Sequence, residues 1–82
     1  MAHDRAEFSV YQFFPSGMAE KVLAFVPIEE AMEMAIGLAN SVGGRVGTTR
    51  RIIITDGGDF TVFEWMHGVG ITHPNRKQEQ QA

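Results

Sequence analysis

Cysteine is absent from the 82-residue chain, which excludes a disulfide framework and every thiolate zinc site. No run approaches the roughly 18 apolar residues that a membrane-spanning helix needs. Residues 1–7 also lack the apolar stretch of a signal peptide. Basic residues are in the minority. Seven Lys and Arg against ten Asp and Glu leave a formal charge of −3, so no overall field steers the chain toward a polyanion such as nucleic acid. Together these absences predict a cytoplasmic domain, without a membrane partner and with no cofactor. At this length a chain buries about 60–65% of the surface it exposes when unfolded, so the core must be thin.

What is present reads as strand, strand, helix, strand, strand. Phe8 to Phe14 is dense in aromatic and β-branched residues, which suit a pleated surface, and Pro15-Ser16-Gly17 presets a turn. Glu20 to Val26 supplies a second strand. A three-residue loop that faces Phe14 with Met18 then sets Val10 against Val22, Phe8 against Ala24 and Tyr11 against Lys21. Pro27 opens a helix, Glu29, Glu30 and Glu33 suit the positive end of its dipole, and Gly43-Gly44 supplies a left-handed stop. Ile28, Met32, Ala35, Ala39 and Val42 recur at helical spacing, widened by Ala31, Ile36 and Leu38. Gly37 within the helix reads as tolerated, and Met34, off the stripe, reads as an exposed contact.

Strand character returns at Arg50 to Thr55 and again at Phe60 to Met66. Asp56-Gly57-Gly58-Asp59 between them is a strong hairpin signal. A two-residue loop pairs Arg51 with Glu64, and a three-residue loop pairs Arg50 with Glu64. Val69 to Thr72 offers a further short extended piece, and residues 75–82 form a polar tail outside a domain spanning 1–74. The expected fold is therefore α+β, β-β-α-β-β, a mostly antiparallel four-stranded sheet with one helix on one face. Strand orders 2-1-3-4 and 1-2-4-3 are the natural candidates.

One helix, about 10 Å across, cannot cover a sheet roughly 15–19 Å wide, and it leaves the other face bare. Yet the strands lack clean alternation. Tyr11, Phe13, Leu23, Phe25, Ile53, Phe63 and Trp65 cannot all share the helix side with Phe8, Val10, Val22, Ile52, Ile54, Phe60 and Val62. A substantial apolar surface is thus expected on the far face, where such surfaces mark a partner, a ligand or a second copy.

Motifs with chemistry are few. Asp56 and Asp59 lack the oxygen-ligand spacing of a calcium loop and read as turn residues. His67 and His73 match no familiar zinc spacing. Gly43-Gly44-Arg45-Val46-Gly47 follows a helix, whereas a phosphate cradle precedes one. No Gly-x-Ser-x-Gly nucleophile motif is present. No catalytic or metal residue is assigned, although Asp56, Asp59, His67 and His73 would be the centre of any metal-dependent alternative. The leading expectation is a non-enzymatic module that self-associates as a homodimer, or binds another protein, through Tyr11, Phe13, Phe63 and Trp65. The alternative is a single-stranded nucleic-acid module using Arg45, Arg50 and Arg51 beside those aromatics.

Overall fold

The first hairpin closes as its sequence dictates. β1 (Phe8–Phe13) and β2 (Ala19–Val26) are joined across Pro15-Ser16-Gly17, and the Phe14 N–H donates to the Met18 carbonyl at 2.9 Å. Gly17 sits at φ 91°, a left-handed position that a side chain would strain. The computed structural model describes residues 5–74, so His3 and the polar tail fall outside the described residues.

Pro27 caps α1 (Ile28–Ala39) with φ −63° and ψ 158°, and its carbonyl accepts from Ala31 N–H at 3.0 Å. Glu29 and Glu30 occupy the first turn, where the exposed N–H groups favour negative charge. A short second helix, α2 (Val42–Val46), follows, then β3 (Arg51–Thr55), β4 (Thr61–Met66) and β5 (Gly70–His73). The strands form one antiparallel sheet in the order β2-β1-β3-β4-β5. The fold is α+β, and of the two candidate orders the sheet has 2-1-3-4, extended by one strand. No helix among the described residues is long and apolar enough to cross a membrane.

Two expectations need correction: among the described residues the sheet has five strands where four are expected, and there are two helices where one is expected. In both cases glycines that read as breakers do something else. Asn40, not a glycine, ends α1. Ser41 then begins α2, accepting from the Gly44 N–H at 3.2 Å and donating to the Leu38 carbonyl at 2.6 Å. A Cβ on Gly44 would lie 2.3 Å from the Ala39 carbonyl oxygen and 2.4 Å from that of Leu38. That residue is glycine so that α2 can fold back on the end of α1. Gly68 and Gly70, with φ of 81° and 99°, build a turn from Met66 to β5 in place of an end to regular structure.

The core is Val10, Ile52, Ile54 and Phe63 on the sheet against Ala31 and Ala35 on α1. Helix residues Ile28, Met32, Met34, Leu38 and Ala39 pack around it. Two alanines at the centre of the contact let the helix axis approach the sheet closely, while Ile36 and Val42 turn outward. Met34 packs at the core margin, so its expected role as a free contact is not what its position gives. Val42 lies beyond the end of α1 and cannot continue the stripe.

Three irregularities, two in β2 and one in β4, decide which face their residues join, and a fourth interrupts the pairing of β5 between Glu64 and Trp65. Tyr11 pairs with Lys21 as expected, but Val10 pairs with Leu23 and Phe8 with Val26. Val22 is the extra residue of one bulge, and a second lies between Leu23 and Val26. Beyond Asp56-Gly57-Gly58-Asp59, Thr55 pairs with Thr61 but Ile54 with Phe63, so Val62 is the extra residue there. Each insertion reverses the alternation that follows it. The expected pairing of Glu64 with Arg50 or Arg51 gives way to pairing with Ile53, because the loop and the bulge together add residues to β4.

Substitution at the two contrasting helical glycines should separate their roles. Gly44→Ala should cost roughly 2 kcal/mol or more, because backbone atoms cannot yield. At Gly37 an added Cβ would meet no atom within 4 Å, so Gly37→Ala should gain about 0.5–1 kcal/mol. Urea unfolding of both variants measures the difference, and a neutral Gly44→Ala would contradict the packing described.

Candidate functional site

The open face of the sheet is organised in rows across the strands. In one row Lys21 on β2 lies beside Tyr11 on β1, Ile53 on β3 and Glu64 on β4. In the next row Ala19, Phe13, Arg51 and Met66 follow the same order. These residues alternate with Val10, Ile52, Ile54 and Phe63, which face α1. Among the described residues neither helix covers this face, and Tyr11, Phe13 and Ile53 are each only half-buried.

Two cations lie over the two aromatic rings. The Lys21 ammonium is 5.5 Å from the centre of the Tyr11 ring, and the Arg51 guanidinium is 4.9 Å from that of Phe13. Both geometries fall within the range of cation–π attraction, worth about 0.5–1 kcal/mol where water has access. Arg51 also donates through Nε to Glu64, a diagonal contact between neighbouring rows. The Thr72 hydroxyl on β5 donates to the other Glu64 carboxylate oxygen at 2.7 Å. That hydrogen bond, followed by Arg51 and the charge of His73, outweighs partial burial and holds the Glu64 carboxyl below its usual pKa range.

Only part of the expected constellation assembles here. Tyr11 and Phe13 are on the open face. Phe63 is buried, and Trp65 lies opposite Ile52 on the helix side. The cause is the Val62 bulge, which moves both residues of β4 across the sheet. Trp65 meets the His67 ring edge-on, with centroids 6.5 Å apart. Of the three candidate arginines, Arg45, Arg50 and Arg51, only Arg51 is placed on the open face. Arg45 is exposed on α2, which packs on the helix side. Arg50 is exposed just before β3, its N–H donating to the Phe13 carbonyl at 2.8 Å. Lys21, Ile53 and Thr72 complete the face; the expected pairing with Tyr11 pointed to Lys21 and the surplus of apolar strand residues to Ile53, whereas nothing in the sequence singled out Thr72.

The other sequence candidates serve the scaffold. His67 Nδ1 lies 2.9 Å from the Gly44 carbonyl. Since that oxygen can only accept, the ring donates and fastens α2 to the end of β4. Asp56 Oδ1 accepts from the N–H groups of Gly58 at 2.9 Å and Phe60 at 3.0 Å, as a turn-forming Asp does. Asp59 takes the left-handed position at φ 67°. Among the described residues no three His, Asp or Glu side chains gather as a metal-binding group. A shallow groove on the helix side is lined by Leu23, Glu30, Glu33, Met34 and Gly37, and its charged groups are all of one sign.

Compared with protein-family models, curated proteins and solved structures, the chain matches none.

The Glu64 contacts set a pH dependence. A carboxyl whose folded pKa is lowered stabilises the fold fully above its unfolded pKa of about 4.3, and this stabilisation is lost as pH falls through the lower folded value. Glu64→Gln should therefore flatten the loss of stability on acidification below about pH 5. Unfolding midpoints of both proteins between neutral and acidic pH provide the check, and parallel profiles would remove Glu64 as a contributor.

Proposed function

We propose that this domain is a non-enzymatic interaction module that self-associates as a homodimer through its open sheet face, in the cytoplasm. The observation that carries this reading is the partly buried apolar strip of Tyr11, Phe13 and Ile53, on a face that neither helix covers and that, among the described residues, only the side chains of Lys21 and Arg51 shield. Aromatic anchors of this kind dominate interface energetics. The strand edges are poorer candidates. β2 is interrupted twice along its pairing with β1, and β5 is four residues long; short or bulged edges resist pairing with another sheet.

A second reading is favoured by one observation, the placement of Lys21 and Arg51 over aromatic rings on the central part of the sheet. A single-stranded nucleic acid is held by such a mixture of stacking surface and positive charge. Against it stand the formal charge of −3, the engagement of Arg51 by Glu64, and the position of Arg45 on the helix side.

Light scattering after size-exclusion chromatography, over a hundredfold concentration range, should find a dimer. Tyr11→Ala and Phe13→Ala should each raise its dissociation constant by about 30-fold, as loss of a hot spot of about 2 kcal/mol requires. Trp65→Ala should instead lower the unfolding free energy by about 3 kcal/mol. A monomer at every concentration would end the self-association reading, and salt-sensitive capture of a single-stranded oligonucleotide by that monomer would favour the second.

A further inference from the structure

The row Lys21–Tyr11–Ile53–Glu64 runs positive, apolar, apolar, negative from β2 to β4. Its charged ends are three strand spacings apart, about 14 Å. Such a row is complementary to itself when reversed. The row beside it behaves alike, since reversal sets the Phe13 ring over the Arg51 position and Ala19 over Met66. A twofold axis lying between two stacked sheets, parallel to the strands and above the gap between β1 and β3, performs this reversal for every row at once. An axis across the strands stacks each strand on its own copy instead. Lys21 then meets only β2 and Glu64 only β4, so the opposite charges never meet. Like-charge or unpaired contacts of that kind cost affinity and suppress the wrong arrangement.

Resting on the self-association reading, we propose that the occupant of the open face is a second copy of this chain, related by the strand-parallel twofold axis. Lys21 of each copy pairs with Glu64 of the other, and Tyr11 of each stacks on Ile53. The arrangement agrees with the aligned packing that twisted sheets prefer, with strand directions about 30° apart. It leaves β5 outside the overlap. Four strands by six residues give a flat footprint of roughly 400 Å² per copy, about half that of a standard stable interface, so association should depend on concentration.

Charge exchange tests the arrangement in the full-length protein by sedimentation velocity. Lys21→Glu alone should raise the dimer dissociation constant at least tenfold, since each new Glu faces the Glu64 of the other copy. The double variant Lys21→Glu/Glu64→Lys should return it to within about threefold of the parent. Circular dichroism establishes that each variant is folded. Should Glu64→Lys disrupt the Arg51 and Thr72 contacts and unfold the chain, a cycle of Lys21→Ala and Glu64→Gln carries the test. Within one chain the two residues are too far apart to couple, so coupling of threefold or more in the dissociation constant supports contact between copies. A parent dimer whose strength ignores Lys21, or additive effects in the cycle, would overturn the arrangement while leaving self-association standing. A monomeric parent would overturn both.

Discussion

Ala31 and Ala35 have no side chain beyond Cβ, and this brings the backbone of α1 directly onto Val10, Ile52 and Ile54. Every larger feature follows from that contact. It fixes the inner face of the sheet and consumes the one apolar stripe that the helix possesses. It also leaves the outer face without a layer of its own. A helix about 10 Å wide cannot serve five strands spaced about 4.8 Å apart. The chain meets this shortage by packing Val10, Ile52, Ile54, Phe63 and Trp65 on the inner face. The outer face receives side chains that accept water at one end, namely Lys21, Tyr11, Arg51 and Glu64.

Charge and packing are tied together on that outer face. The cations extend their apolar stems over aromatic rings, as long basic side chains do when they cover hydrophobic surface. Glu64 closes the arrangement by accepting from Arg51 on one side and Thr72 on the other. A short strand that adds little to the core thereby acquires a purpose: β5 delivers the hydroxyl that orients Glu64. His67 performs the corresponding duty on the inner side, where its hydrogen bond to Gly44 fastens α2.

Local chemistry was the legible part of the sequence. Pro15-Ser16-Gly17, Pro27 and Asp56-Gly57-Gly58-Asp59 mark the first turn, the start of α1 and the second hairpin because each acts through its own backbone angles. The direction in which a single helix must return narrowed the lateral order of the first four strands to 2-1-3-4 or 1-2-4-3, and nothing in the residues chose between them. The assignment of faces did not follow for β4 or for half of β2. Val22 and Val62 are ordinary strand formers, and nothing in their chemistry distinguishes a paired residue from an inserted one. Gly44 was misleading for a related reason. A glycine required by a close approach of two backbones is indistinguishable in sequence from one required by a left-handed turn. On the candidate site, Tyr11 and Phe13 could be read from the alternation of β1, whereas Phe63 and Trp65 depended on the unseen bulge.

The bulges give the strands something like a reading frame. Two insertions along β2 cancel, so the strand leaves the inner face and later regains it, while the single insertion at Val62 is never cancelled within β4. Substitutions at these positions change a volume. Adding or losing one residue changes which half of an entire strand is wet. For this small sheet, length is therefore a stronger variable than composition. One codon gained or lost within a strand would, in a single step, exchange the inner and outer residues of that strand beyond the change.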